Sequence, residues 1–322
     1  MNLVERIANS DLDASRSQLE TRLESFRGQT TRRGRLDDRH PELPANMSLE
    51  QGIPVVRAED LTLEHMIAAM EQHGTLMVRG LLDADRCRQY RDLIDEVLDA
   101  PRPTAKNKLT EAETRSAFHN APRNLGEFFE DDTLGKARGY HRLSGTSMCI
   151  ESAATAEDLL ALYEELGLKS LMRGYLQDEP CVSAQKWVLR RTPLNMKEAD
   201  WHQDGAFMGD DIRSLNMWLA LSDCGGDSGA SGLDIIPQRI REVFQSPEGI
   251  YDWSLSPEWL RANNELAAFV SPDFQAGDAI FFDHFSLHRT QYCPEMVQRR
   301  YAIETWFFAS QGFPPEQVPM AW

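Results

Sequence analysis

The sequence predicts a mainly β fold with flanking helices, built around an antiparallel barrel or jelly roll. Three observations lead there. Beyond residue 181 the chain breaks into short strand-like runs at 182–190, 214–221, 233–236, 267–270, 279–282 and 301–309, punctuated by Gly, Pro, Asp and Ser clusters. Before that point the periodicity is helical, as expected of elements that cover a β core. No internal repeat or low-complexity segment competes with this organisation.

Taken in order, residues 2–27 carry Leu3, Val4, Ile7, Leu19, Leu23 and Phe26 among many charges, an irregular helical pattern that ends at Gly28. A polar run follows, in which Arg32, Arg33, Arg35 and Arg39 read as a solvated linker. Residues 1–55 are therefore expected to form an N-terminal helical extension and linker, through which a homo-oligomer could assemble, and residues 56–322 a single domain. From Asp60 the pattern turns regular: a helix through Met70, a strand over 75–78, then a helix opened by Asp83 with Cys87, Tyr90, Leu93, Ile94 and Val97 on one face. Residues 101–153, rich in Pro, Asn, Gly and charge, read as long connections of the kind that border an active site. Thr155-Ala156-Glu157-Asp158 has the form of a capping box, ahead of Leu159, Leu162, Tyr163 and Leu166 at helical spacing, and a second helical stretch runs through Tyr175.

A chain of 322 residues with 41% apolar residues, seven Trp and fourteen Phe can bury a sizeable core. No apolar stretch approaches the ~20 residues of a membrane span. The opening Met1-Asn2-Leu3-Val4-Glu5-Arg6 lacks the apolar run of a secretory signal, so the expected location is cytoplasmic. Cys87, Cys149, Cys181, Cys224 and Cys293 are odd in number and show no Cys-x-x-Cys spacing, which argues against a disulfide framework and a structural zinc site. A net charge of −17 repels nucleic-acid phosphates and anionic membranes, leaving a small molecule as the expected partner.

The chemistry concentrates in His202-Gln203-Asp204 and the later run ending at His288. On an extended strand alternate side chains share a face, so His202 and Asp204 are expected to reach one ion while Gln203 points away. Two imidazoles and a carboxylate on one face of an octahedron leave positions open for a co-substrate and dioxygen, the arrangement of mononuclear non-haem Fe(II). An ordinary ion pair at a strand end also gives His-x-Asp, and His284 competes with His288 for the third place. Along 214–221, Asn216 and Trp218 share one face and Leu215, Met217 and Leu219 the other, so one pair is expected to look into the barrel and toward the co-substrate.

The surrounding residues settle the reading of the motif. Trp201-His202-Gln203-Asp204-Gly205, Asn216-Met217-Trp218-Leu219-Ala220-Leu221-Ser222-Asp223 and Ser228-Gly229-Ala230-Ser231-Gly232-Leu233-Asp234-Ile235-Ile236-Pro237 resemble the phytanoyl-CoA dioxygenase family in order and spacing. So do Gly277-Asp278-Ala279-Ile280-Phe281-Phe282, His288 and Arg300-Tyr301-Ala302-Ile303. The likeness is close over about 180–309 and looser from about residue 70, where His73-Gly74-Thr75-Leu76-Met77-Val78-Arg79-Gly80 reads like the family's opening strand.

The resemblance implies a double-stranded β-helix of cupin type, with Fe(II) held by His202, Asp204 and His288, and 2-oxoglutarate and O2 as co-substrates. It also implies an arginine for the distal carboxylate of 2-oxoglutarate, whose planar fork donates two parallel bonds. Spacing from His288 allows Arg299, whereas the family's Arg-x-Ala-Ile register picks Arg300. Thr290 is similar in position to a hydroxyl residue that assists the same carboxylate. Related halogenases replace the acid of His-x-Asp with a small residue, so Asp204 favours hydroxylation of an unactivated C–H bond, with release of succinate and CO2. The readings that compete are a cupin-like metalloenzyme that does not use 2-oxoglutarate and a non-catalytic barrel scaffold. Substrate specificity is expected from the loops of 101–153 and the segment after Ile236.

Overall fold

The computed structural model of the chain describes residues 1–31, 34, 36, 41–101, 110, 116–129, 144–194, 198–245, 249, 251–263, 268–292 and 294–322. The basic residues Arg32, Arg33, Arg35 and Arg39, Cys293 and much of the 101–153 connection lie outside them.

The first half is helical where the sequence predicts helices. Helices α1 (Leu3–Ala8) and α2 (Leu12–Glu24) are capped by Asn2 and Asp11. Strands β1 (Ser48–Glu50) and β2 (Ile53–Arg57) precede α3 (Leu63–His73) and β3 (Thr75–Arg79), and α4 (Ala84–Asp99) starts on the predicted cap, Asp83, whose side chain accepts from Arg86 N. After β4 (Thr146–Met148) come α5 (Ala153–Glu165) and α6 (Leu168–Leu176). The capping box expected at Thr155 does not form. Helix α5 begins earlier because Asn120 Oδ1 reaches in from another segment to accept from Ala153 N at 2.7 Å, while Thr155 Oγ1 meets Ser152 Oγ at 2.7 Å. A cap supplied in space replaces one supplied in sequence.

The second half is β: β5 (Pro180–Arg191), β6 (Trp201–His202), the short helix α7 (Gly205–Met208), β7 (Ser214–Ala220), β8 (Leu233–Ile235), β9 (Ser254–Leu255), α8 (Pro257–Ala262), β10 (Ala279–Phe282), β11 (His288–Thr290), β12 (Tyr301–Ala309) and β13 (Pro319–Ala321). Of the strand expected over 267–270, position 267 lies outside the described residues and the rest contributes one bridge, Ile235 to Val270. A nine-stranded sheet runs β1-β2-β3-β10-β7-β12-β5-β13 with β4 beside β5, and a four-stranded sheet runs β8-β11-β6-β9. Pairing is antiparallel except between β2 and β3, which α3 connects as a crossover.

Strict alternation along the central strands decides what faces what. Leu215, Met217 and Leu219 of β7, Ala279 and Phe281 of β10, and Ile303, Phe307 and Ala309 of β12 pack under the helices. Their neighbours Trp218, Ala220, Ile280, Phe282, Ala302, Trp306 and Phe308 instead join Leu233 and Ile235 of the small sheet in the lumen. Two sheets closed on one apolar interior make a jelly roll of cupin type. Leu3, Ile7, Leu19 and Leu23 are buried in the helical layer's cluster, and Arg22 pairs with Glu157 of α5 at 2.8 Å, so the N-terminal helices are packed elements rather than a loose appendage. No described helix is long and apolar enough to cross a membrane.

The Gly277-Asp278 pair has a structural task. Gly277 sits at φ 100°, where a Cβ would lie 1.9 Å from Leu82 O. Asp278 then accepts from Gly80 N at 2.9 Å, Gln275 N at 2.9 Å and Arg79 Nη1 at 2.6 Å, fastening the end of β3 to the start of β10.

Candidate active site

His202, Asp204 and His288 converge. Their ligand atoms lie within 4.8 Å of one another, the only such group of three or more His, Cys, Asp or Glu side chains among the described residues. His202 and His288 face each other as a registered pair across β6 and β11, with ring centroids 4.4 Å apart. Each ring is turned by its own backbone: Ser286 O lies 3.0 Å from His288 Nδ1 and Asp200 O lies 3.4 Å from His202 Nδ1. With Nδ1 donating to a carbonyl, Nε2 is the nitrogen left to accept a metal.

The route by which Asp204 arrives differs from the sequence expectation. Strand β6 ends at His202, and Asp204 adopts helical angles, φ −63° and ψ −24°, at the start of α7. A tight strand-to-helix turn, not an extended strand, brings it beside the imidazoles. Gln203 does point away, accepting from Phe244 N at 2.7 Å and donating to Phe285 O at 2.7 Å and Glu242 O at 2.9 Å. Gly205 is needed there because a Cβ would come within 2.8 Å of Val243 Cγ2 and 3.0 Å of His284 O, the carbonyl that Gly205 N bonds.

The electrostatics suit a metal. Burial, reinforced by the neighbouring His288, pushes the His202 imidazole down to about 4, so it is neutral and able to ligate near pH 7. Burial alone would push the Asp204 carboxyl up, but Lys186 and the two imidazoles outweigh it and hold the group below its ordinary value. Asp204 Oδ2 is 3.8 Å from His288 Nε2, and Asp204 Oδ1 accepts from Lys186 Nζ at 3.4 Å. His284, the competing histidine, is buried elsewhere and is held by Ser214 Oγ at 2.7 Å from its Nδ1.

Of the two candidate arginines, Arg299 is exposed and Arg300 is fully buried. Arg300 Nη1 donates to Gly232 O at 2.8 Å and Ser231 O at 3.3 Å, while Nε and Nη2 have no acceptor. Burial, with Arg190 adding to it, pushes this guanidinium down to about 10, which leaves it charged near neutrality. No described carboxylate forms an ion pair with it. A cation enclosed without a counter-ion costs several kcal/mol, so the site fits an anionic ligand such as the distal carboxylate of 2-oxoglutarate. Trp218 Nε1 and Asn216 Oδ1, also buried and unpartnered, belong to the inward face of β7, and the Trp218 ring lies next to this cation. Thr290 shares the face of His288 and pairs with Leu233 of the lumen.

A cavity of about 490 Å3 opens on His202. Thr146, Met148, Lys186, Val188, Arg190 and Glu304 line one side, and Phe207, Tyr251 and Trp253 the other. Cavities of 530 and 610 Å3 elsewhere contain none of the three converging residues. Thr146, Met148, Tyr251 and Trp253 fall in the two segments expected to set specificity, whereas Lys186, Val188, Arg190, Phe207 and Glu304 were not singled out. Glu304 was within reach of sequence reasoning, being on the Arg300 face of β12 by alternation. Lys186 was not, because β5 bulges: Thr305 faces Trp187 yet Phe307 faces Val182, and Ser183 Oγ accepts from Lys186 N at 3.0 Å within the extra loop. Such a bulge re-aims side chains in a way that periodicity does not show.

Comparison with known proteins agrees with this construction. Residues 70–291 match the model of the phytanoyl-CoA dioxygenase (PhyH) family. No curated protein sequence matches the chain. Among solved structures, EctD from S. alaskensis in its apo form superposes with a TM-score of 0.53 at 17% identity, over 87% of this chain and 84% of that one. The same protein with 2-oxoglutarate and 5-hydroxyectoine gives 0.51 at 20% identity, over 88% and 85%. These likenesses are likenesses of fold. By the family match, the chain belongs to the phytanoyl-CoA dioxygenase family of Fe(II)- and 2-oxoglutarate-dependent oxygenases.

Proposed function

We propose that the protein hydroxylates an unactivated C–H bond of a small metabolite, with His202, Asp204 and His288 holding Fe(II) and Arg300 anchoring 2-oxoglutarate. The observation that carries this reading is Arg300: a buried cation with two unpartnered donors and no ion pair among the described residues, in the lumen of the barrel that also carries the triad. When bound, iron, 2-oxoglutarate and O2 supply the oxidising power for C–H cleavage, with succinate and CO2 released. The chain's own residues do the rest. Nδ1 contacts to Asp200 O and Ser286 O fix the two imidazoles, Lys186 fixes Asp204 through Oδ1, and Phe207, Tyr251 and Trp253 give the cavity an aromatic lining. Asp204 keeps a carboxylate where a halide would otherwise have room, which favours hydroxylation over halogenation. The lining draws on Thr146 and Met148 from one specificity segment and on Tyr251 and Trp253 from the other.

The test incubates protein, Fe(II), 2-oxoglutarate, O2 and a metabolite pool, and follows products by mass spectrometry. The expected product is heavier by one oxygen, with matching succinate. A chlorinated product in the presence of chloride, or turnover that does not need 2-oxoglutarate, overturns the proposal.

A further inference from the structure

On the oxygenase reading, we infer that the prime substrate is a flat monoanion: its ring lies against Trp253 and Phe207, and its acidic group meets Lys186 and Arg190. Three observations of the cavity lead to this.

The first is charge. Arg190 and Glu304 neutralise each other, with Arg190 Nη2 donating to Glu304 Oε2 at 2.9 Å. Among the described residues the one ion pair of Lys186 is with Asp204 at 3.4 Å, and Asp204 is the carboxylate whose charge a bound dication takes up. Once metal is in place the lining carries one positive charge in excess, while 2-oxoglutarate is answered by Arg300 and the ion. Arg190 Nε is also buried without an acceptor, a second donor near the same place.

The second is the exclusion of the opposite charge. An aromatic wall with a carboxylate nearby also suits an organic cation. Here that place is taken: Lys186 Nζ already lies 4.1 Å from the Phe207 ring centroid, and Glu304 is engaged by Arg190. A cationic substrate would meet two fixed cations, and a polyanion would meet Glu304.

The third is shape. The Trp253 ring stands edge to face with Phe207 and with His202, each at 5.6 Å, and stacks on Tyr251 at 4.8 Å with an interplanar angle of 4°. Flat walls select flat guests, and contact between Trp253 and a predicted metal ligand puts such a guest beside the reacting centre. A volume near 490 Å3 takes a small-molecule ligand whole.

Three probes share one ring and differ in charge: indole-3-acetate, indole-3-acetamide and tryptamine. Without O2, the Fe(II)-loaded protein is titrated calorimetrically with 2-oxoglutarate and then with each probe. The acid is expected to bind at least tenfold tighter than the amide, with tryptamine weakest. Lys186→Met should bring acid and amide together, Lys186→Arg should restore the preference, and Trp253→Ala should weaken all three alike. The acid-to-amide ratio is insensitive to a merely structural role of Lys186. Equal binding of the three probes, preference for tryptamine, no binding by any of them, or an unchanged ratio in Lys186→Met overturns the inference. Absence of the first, 2-oxoglutarate step overturns the oxygenase reading instead, so the two failures are distinguishable.

Discussion

The Arg300 guanidinium lies 5.3 Å from the centre of the Trp218 ring, both side chains fully buried, and between them three N–H-bearing atoms lack acceptors. The ring holds one side of the guanidinium and leaves its unpartnered Nε and Nη2 for a ligand. Arg300→Ala should therefore raise the 2-oxoglutarate concentration required for half-maximal succinate formation by about 30-fold, since a charge-assisted pair contributes roughly 2 kcal/mol. Arg299→Ala should leave it unchanged. A larger effect at Arg299 would place the register one residue away.

Metal binding should be visible as stability. Saturation to 100 times Kd adds ~2.7 kcal/mol to the folded state, a rise of several degrees in Tm that chelator reverses. His202→Ala and His288→Ala should abolish that rise in a melting experiment. Full Fe(II) affinity without His288 would sink the ligand assignment.

His284 supplies the matched control. Its ring is engaged by Ser214 and is not one of the converging side chains, and its backbone carbonyl, which accepts from Gly205 N, is kept by an Asn substitution. His284→Asn should retain the Fe(II)-dependent shift in Tm that His288→Asn loses; the reverse pattern would exchange their roles.

Gln203 tests the frame behind the triad. Its amide bonds Glu242 O, Phe285 O and Phe244 N, three hydrogen bonds that Gln203→Ala removes. Removing it should cost about 3 kcal/mol. That corresponds to a fall on the order of 6 °C in Tm.

The sequence made the converging triad legible because few residue types can ligate a metal, and the strand pattern made the barrel legible because alternation survives in β7, β10 and β12. What it hid was non-local. Asn120 caps α5 from more than thirty positions away, as Ala153 N shows. The turn that places Asp204 depends on Val243 and His284 closing over Gly205. Lys186 owes its direction to a bulge that only the pairing of β5 with β12 defines, and Trp253 belongs to a loop without periodicity. Each is decided by a partner distant in sequence, which propensity does not see.

One consequence concerns the life of the protein rather than its chemistry. Strands β6 and β11 are joined by a single registered pair, and that pair is His202 with His288. The ladder between them is short, so an ion gripped by both rings would add a rivet to it. Metal-poor molecules would open first along this seam and uncover the buried Trp201, Leu255 and Leu287 to proteases.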